Sequence, residues 1–473
     1  MKLHFSGREL SALVRLGLPI VLAQLCQTGM NCVDTIMAGR YASVDLAGVA
    51  VAGSLFAPIS MFAIGLQLAL PGMCAQLVGA GRPGRAAHML RQGLFLALAQ
   101  SVLLTALLVW LSWQTELLGL EGRLAEVCGG YIRALAPGIP GFLFFITMRS
   151  FFEGHGRTRP AMLIAALGLA LNIPCNWIFI YGHLGLPELG GIGCGVATSI
   201  CFWFMALAMA LFLHLDRDLG RWSLFRGLFR PGGALGAARG ERERMLDPAS
   251  LAAILRVGVP MGLVLVMECV LYAVTALFLA PLGPEVVAGH QTVINYASVL
   301  FCLPVSVNMA AAIRVGRCLG ADEKEAARRA AHTALVCGTA LALVAMAATI
   351  ACREGIAGLY STDPRVLAHA CTLLLFCAGF QLLDTVQNVS AGILRGCNDT
   401  RYIFKVMLLA NGLVGIGCGW ILGRTDLLVP AMGAPGFWTG YILALTLCAA
   451  AYLVRIRRLF GLPMERLRER LAR

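Results

Sequence analysis

Three acidic residues stand in the middle of apolar runs. They are Asp34 in Cys32-Val33-Asp34-Thr35-Ile36-Met37, Glu268 in Val266-Met267-Glu268-Cys269-Val270 and Asp384 in Leu382-Leu383-Asp384-Thr385-Val386. If these runs cross a bilayer, an acid at mid-helix costs roughly 2.5–3.5 kcal/mol on insertion scales, so each one calls for a function. No Lys or Arg is expected comparably deep, because Arg15, Arg149, Arg256 and Arg395 fall at the ends of their runs. A carboxyl group in oil without a fixed base is protonated, hydrated in a cleft, or paired with a cation brought from outside. Each of these states suits a protein that carries cations.

The flanking arginines give approximate heights. Glu268 is twelve residues from Arg256 and Asp384 eleven from Arg395. At about 1.5 Å per residue, both lie roughly 16–18 Å from the basic ends of their helices, so they can share one ion. Asp34 comes about 28 Å from Arg15, Asn176 about 26 Å from Arg159 and Thr198 about 27 Å from Asp216 by the same rise. Those three are expected to form a second polar cluster. Asn172, one helical turn before Asn176, falls on the same face and joins it.

The elements that must hold these groups follow from composition. Of 473 residues, 59% are apolar and 13% charged, the latter about half the norm for soluble proteins. That argues against a water-soluble enzyme, and the hydrophobicity excludes a disordered chain. One spanning helix takes about 20 apolar residues. The runs predict twelve, over 13–38, 46–71, 90–112, 128–150, 161–181, 190–214, 251–279, 288–312, 330–352, 366–394, 402–422 and 434–455. The first is too long for a cleavable signal core and is expected to be retained. The longest polar break, 216–250, is Arg-rich and carries Pro231-Gly232-Gly233. The expected organisation is therefore an N-terminal six-helix bundle (1–215), a cytoplasmic linker (216–250) and a C-terminal six-helix bundle with a basic tail (251–473).

The formal charge of +13 is concentrated in the even-numbered breaks, for example Arg82, Arg85 and Arg91, then Arg314, Arg317, Lys324, Arg328 and Arg329. Basic loops stay cytoplasmic, which predicts cytoplasmic termini. The halves also repeat. An offset of 241 pairs Arg15-x-Gly17-x-Pro19 with Arg256-x-Gly258-x-Pro260, and Ala47-Gly48 with Ala288-Gly289. It becomes 242 at Gly154/Gly396 and 243 at Gly190/Gly433 and Gly193/Gly436. Each half has an even number of spans, so both sit the same way up, a parallel repeat suited to rocking about a central cleft. Pro19 and Pro260 fall at matching places and favour kinks. The repeat is chemically unequal, because Glu268 maps onto Gln27 and Asp34 onto Thr275.

Other chemistries find little support. The 17 cysteines include no C-x-x-C, and many lie inside apolar runs, where they pack as small soft hydrophobes. The eight histidines form no H-E-x-x-H and no cluster with cysteines, so no metal site beyond a Na⁺ ion at Glu268 and Asp384 is expected. Gly190-Gly191-Ile192-Gly193-Cys194-Gly195 follows an outer loop rather than a strand and reads as close helix packing, not a phosphate cradle. No Ser/His/Asp set is visible, and no basic block interleaved with aromatics lies outside the apolar runs. The chain is thus expected to be neither an enzyme nor a nucleic-acid binder.

An ordered set of strings covers nearly the whole chain: Gln27-Thr28-Gly29-Met30, Val33-Asp34-Thr35-Ile36-Met37-Ala38-Gly39, Gln76-Leu77-Val78-Gly79-Ala80-Gly81, Leu171-Asn172-Ile173-Pro174 with Asn176-Trp177, Ala280-Pro281-Leu282-Gly283, His290-Gln291, Arg314-Val315-Gly316, Leu394-Arg395-Gly396 and Gly436-Phe437-Trp438. In these residues the chain resembles the multidrug and toxic compound extrusion (MATE) family, NorM-like branch. The resemblance implies an all-α membrane protein with twelve helices in two V-arranged, pseudo-twofold-related bundles. It implies export of cationic, amphipathic drugs and dyes, driven by inward Na⁺ or H⁺. It makes Glu268 and Asp384 the cation-site acids of the C-terminal half, and Asp34, Asn172, Asn176 and Thr198 the N-terminal polar network. One departure is Phe380, where a tyrosine hydroxyl of the cation site is missing, which bears on the choice between Na⁺ and H⁺.

The leading expectation is a multidrug antiporter of a bacterial inner membrane, without cofactor or obligatory protein partner. Cation sites are assigned to Glu268, Asp384 and Asp34. Supporting polar residues are Asn172, Asn176, Thr198 and Gln27. Met30, Phe62, Met148, Tyr296 and Met309 are candidates to hold a greasy cation by dispersion and cation–π contact, although for any one of them packing between helices or facing lipid is the simpler reading. The alternative is a lipid-linked oligosaccharide flippase of related fold. That would need a basic cleft for pyrophosphate, and this chain places acids there instead.

Overall fold

The computed structural model describes residues 7–115, 119–216, 218–219, 246–361, 363–427 and 429–472. Twelve of its helices are long and apolar enough to cross a membrane. We label them α1 (Gly7–Tyr41), α2 (Ser43–Gly79), α3 (Pro83–Ser112), α4 (Gly122–Gly154), α5 (Arg159–Tyr181), α6 (Gly191–Leu215), α7 (Pro248–Leu282), α8 (Pro284–Gly320), α9 (Lys324–Gly358), α10 (Pro364–Gly396), α11 (Thr400–Arg424) and α12 (Ala434–Gly461). A short α13 (Met464–Ala472) follows. The all-helical, twelve-span architecture is as the sequence implies. Most helices run past their apolar stretches, because backbone hydrogen bonding continues into the polar flanks after the apolar requirement has ended. The expected linker arginines Arg217, Arg221, Arg226 and Arg230 lie outside the described residues.

These helices carry apolar side chains outward as well as inward. Leu103, Leu277 and Val344 are each exposed by two thirds or more. In water such surfaces would be costly, whereas in a bilayer they meet acyl chains of like polarity. Burial therefore distinguishes the helices. In the apolar window of α4, 67% is buried against protein, compared with 17% in α9. In one half α4 packs on α3 and α6; in the other, α10 packs on α8, α9 and α12.

The chain forms two compact units, Leu22–Gly262 and Met1–Val21 with Leu263–Arg473. This division departs from the expected 1–215 and 251–473. The boundaries fall inside α1 and α7, two residues beyond Pro19 and Pro260, and lie 241 residues apart. Each first helix is thus shared. The segment before Val21 packs with the C-terminal half, where Arg314 Nε and Nη2 donate to the Glu9 carboxylate at 2.8 Å each. The segment from Asp247 to Gly262 packs with the N-terminal half. There the Asp247 N–H donates to Gln92 Oε1 at 3.1 Å, and His88 Nε2 faces Asp247 Oδ2 at 3.4 Å. Loop charge separates the halves in sequence, but apolar surface decides what packs with what. Ile254 and Val257 of α7 bury beside Ala69 and Leu70 of α2.

The repeat extends to backbone conformation. Gly190 (φ 57°, ψ −136°) precedes α6 and Gly433 (φ 65°, ψ −135°) precedes α12. That combination is close to glycine-only territory. In both, the N–H three residues on closes the turn, Gly193 to Gly190 O at 2.9 Å and Gly436 to Gly433 O at 3.1 Å.

Candidate functional site

In the Leu22–Gly262 unit, α1, α5 and α6 deliver four polar side chains to one point. Asp34 is buried, and Asn172 and Asn176 are fully so. Asn172 Nδ2 and Asn176 Nδ2 donate to Asp34 Oδ1 at 3.1 and 2.6 Å, and Thr198 Oγ1 donates to Oδ2 at 2.9 Å. The i, i+4 spacing of the asparagines on α5 lets both reach the same oxygen, and Asn176 Nδ2 also meets Asn172 Oδ1 at 3.1 Å. Cys194 Sγ contacts the Asp34 carbonyl at 3.6 Å. Among the described residues, every hydrogen-bond donor to the carboxylate is neutral. Asn176 Oδ1 has no partner among the described residues.

Gln27 is not part of that cluster. It lies two turns earlier on α1, where Arg149 Nη1 donates to Gln24 Oε1 and Gln27 Oε1 at 3.3 Å each. Arg149 Nε donates to Glu153 Oε1 at 2.7 Å. The side chains of this pair are 7% and 1% exposed. The expectation of no buried bases is therefore corrected. Arg149 and Arg395 sit at helix ends in sequence, yet both are buried, because helical side chains lean back along their own helix. Glu153 was missed altogether; its signal was the i, i+4 spacing from Arg149.

In the other unit α7 carries Glu268 and α10 carries Asp384. Glu268 is half-buried and Asp384 is buried. Tyr272 lies one turn after Glu268 on α7. Asp384 Oδ1 accepts from Asn388 Nδ2 at 3.1 Å. No Lys or Arg donates directly to either acid among the hydrogen bonds of the described residues. Phe380, one turn before Asp384, stacks edge-on against Trp438 and Tyr441 at 5.5 and 6.3 Å between ring centroids. Its ring thus occupies an aromatic cluster continued by Tyr272. The Tyr441 hydroxyl donates to Thr275 Oγ1. Trp438 Nε1 donates to His290 Nδ1 at 3.2 Å, which ties α12 to α8.

The apolar candidates divide. Met30 and Met148 are buried in a cluster with Cys74, Phe145 and Phe151, and Met309 is buried as well. Met30 and Met148 pack against this cluster, where flexible thioethers fill gaps between unlike side chains. Phe62 and Tyr296 remain partly exposed. Tyr296 is oriented by its hydroxyl, 2.8 Å from Thr349 Oγ1, which in turn reaches Gln381 Oε1 at 3.3 Å.

A twelve-helix repeat with a carboxylate cluster in each half can be compared with known families. The MatE family model matches residues 19–178 and 260–421, one segment in each half. The chain belongs to the MatE family. Within it, the chain is 43% identical over 468 residues to the multidrug resistance protein MdtK of Pectobacterium atrosepticum, covering 99% of this chain and 98% of that one. Its fold is that of the eukaryotic MATE transporter AtDTX14, with TM-score 0.84 and 19% identity over 98% of this chain and 99% of that one. An outward-facing MATE family transporter gives TM-score 0.82 at 22% identity, over 97% and 96% of the two chains. The twelve-helix, MATE-type fold expected from the sequence motifs is the fold of these neighbours.

Proposed function

We propose that this MatE protein exports cationic, amphipathic drugs and dyes in exchange for an inward cation, Na⁺ or H⁺, by alternating access. The observation that carries the reading is full-length similarity to a multidrug resistance protein, together with a buried carboxylate in each half, Asp34 and Asp384, to which no Lys or Arg donates among the described residues. Asp384 with Glu268 forms one coupling site and Asp34 with Asn172, Asn176 and Thr198 the other. Phe62 and Tyr296 are the remaining candidates for drug contact. The chain acts in a bacterial inner membrane, with both termini cytoplasmic, as its basic even-numbered loops indicate. It works as a transporter rather than an enzyme and without an obligatory protein partner.

The test is dye efflux from proteoliposomes with Na⁺ and pH gradients imposed separately. One or both gradients drive efflux by the wild type. Asp384→Asn and Asp34→Asn insert and accumulate normally but lose gradient-driven efflux. Full efflux by a well-expressed Asp384→Asn variant overturns the assignment of that site.

A further inference from the structure

Asp384 is the end of a hydrogen-bonded chain that begins at a buried arginine. Arg395 Nη2 donates to Asn308 Oδ1 at 2.6 Å, Asn308 Nδ2 donates to Asn388 Oδ1 at 3.2 Å, and Asn388 Nδ2 donates to Asp384 Oδ1 at 3.1 Å. The four side chains are 3%, 7%, 9% and 8% exposed, in that order. Asp384, Asn388 and Arg395 share α10 at i, i+4 and i+11, and Asn308 enters from α8. Arg395 reaches back along its helix, which brings the guanidinium to an amide whose other end meets Asn388.

The two ends fix the polarity of this chain. A guanidinium only donates, so the near atom of Asn308 is its oxygen. An ionised carboxylate only accepts, so the near atom of Asn388 is its NH₂. The middle bond then has one possible sense, NH₂ of Asn308 to oxygen of Asn388, and that is the observed one. All three donors point from the positive end to the negative end. Head-to-tail bonds of this kind polarise one another, most strongly where water is excluded.

The close approach is built into the backbone. Gly392 lies on α10 between Asn388 and Arg395, and a Cβ there would stand 2.3 Å from the Asn308 carbonyl oxygen and 2.8 Å from its Oδ1. Only glycine lets Asn308 reach both neighbours. Gly396, at the end of the same helix, is likewise closed by the Ala312 carbonyl at 2.8 Å.

We infer that Arg395 and Asn308 are positioning residues for the coupling cation. Through Asn388 they hold Asp384 Oδ1 as an acceptor and leave Oδ2 to take the cation beside Glu268. The inference rests on the reading of Asp384 as a coupling site. Among the described residues, the other ionisable groups that interact with the carboxylate are Glu268 and Tyr272 from α7 and Cys377 from α10 itself. None of these belongs to the amide chain, so reversing the chain leaves them in place.

Asn308→Asp makes that reversal. Its carboxylate still matches Arg395, so the buried base keeps a partner. It can no longer donate to Asn388, whose amide turns over to present NH₂ to the new carboxylate and oxygen to Asp384. An added oxygen beside Asp384 favours any cation there. Efflux by the full-length chain in proteoliposomes is measured against external H⁺ without Na⁺, and against external Na⁺ at fixed pH. In whichever arm drives the wild type, Asn308→Asp lowers the half-saturating cation concentration about tenfold, with the maximal rate within about twofold. Arg395→Lys keeps the charge and a donor and retains the wild-type value. Should Asn308→Asp fail to accumulate, Arg395→Gln removes the charge but keeps a donor, and lowers half-saturation about threefold.

Wild-type half-saturation in Asn308→Asp, or in Arg395→Gln where the first is not obtained, overturns the inference and leaves the chain a packing device. Asp384→Asn separates the two ideas. If it exports like wild type, the coupling-site reading itself fails. If it is inactive while Asn308→Asp keeps the wild-type cation dependence, only the positioning role fails.

Discussion

Breaking the Arg149–Glu153 pair tests whether the core of the Leu22–Gly262 unit depends on charge compensation. Both side chains are more than nine-tenths buried, and the guanidinium also supplies donors to Gln24 and Gln27. Removing one member of a buried pair leaves the other charge uncompensated, at a cost of about 3–5 kcal/mol, whereas replacing both by apolar groups of similar volume is often neutral or favourable. Glu153→Gln keeps the shape and strands Arg149; Arg149→Met strands Glu153. For a unit of about 240 residues the unfolding entropy near the melting point is about 0.5 kcal/mol per kelvin by the soluble-protein scaling. Each single variant should therefore melt about 6–10 °C below wild type. Helices that persist in detergent reduce the entropy, so these shifts are lower bounds. The double variant Arg149→Met/Glu153→Leu should recover most of the loss, although Gln24 and Gln27 lose a donor. The assay is the monodisperse fraction of purified protein after heating through a temperature series. Single variants that melt like wild type, or a double variant worse than both, refute the reasoning.

Two further outcomes follow from the geometry. Gly190→Ala and Gly433→Ala both place a side chain in a backbone region costing about 1–3 kcal/mol. Only the first also drives a Cβ to 2.7 Å from Tyr41 Cε1, the nearest atom at Gly433 being Leu282 Cδ1 at 3.7 Å. Gly190→Ala should thus lower the melting temperature clearly more, and equal losses would show that strain alone matters. Asp247, at the polar start of α7, is held below the usual carboxyl range by the Ser250 hydroxyl, burial opposing, with the Ala249 N–H and His88 adding to the effect. A depressed folded-state value contributes stability that is present above the ordinary value of about 3.9 and is lost as pH falls through the folded value. The difference in melting temperature between wild type and Asp247→Asn should be constant from pH 8 to about 5 and close below about pH 4. A difference that persists unchanged below pH 4 would refute this reading of Asp247.

The spans, the repeat and the Asp34 cluster were legible because each rests on a periodicity or a length. Asn172 and Asn176 share a face by helical spacing, and matching heights on α1, α5 and α6 brought Asp34 and Thr198 to them. The partner of Gln27 was not legible by the same logic. Gln27 lies two turns from Asp34, on much the same stripe of α1, but its partner comes from α4, and sequence does not say which neighbour faces a given turn. Arg149 and Arg395 look peripheral when position along a helix is the only coordinate. Burial depends instead on where the long side chain runs. The three methionines illustrate the same gap, because an apolar residue beside a polar one reads equally as wall or as filler until its neighbours are known. The division of α1 and α7 was marked by Pro19 and Pro260, but a proline marks a bend without saying which bundle claims each arm.

The repeat offers a stronger argument than any single site. Its halves share backbone devices down to the glycines before α6 and α12, yet at matched positions the chemistry is exchanged. Asp34 bonded to Thr198 in one half corresponds, at offsets of 241 and 243, to Thr275 bonded to Tyr441 in the other. Gln27, which accepts from Arg149, corresponds to Glu268. Glu153 before Gly154 corresponds to Arg395 before Gly396, and both are buried. Where α5 carries Asn172, α11 winds into a π-turn over Ala410–Gly415. A duplicated scaffold that served packing alone would have no reason to trade acid for hydroxyl, amide for acid and acid for base at positions that keep the same place in the fold. Each trade leaves one half with an acid and the other with a neutral or opposite group. The two carboxylate clusters consequently lie at different heights along the repeat, one near Asp34 and one near Glu268 and Asp384, rather than at symmetry-related positions. Each half therefore surrounds its carboxylates with different side chains, amides and a hydroxyl at Asp34 and an amide at Asp384.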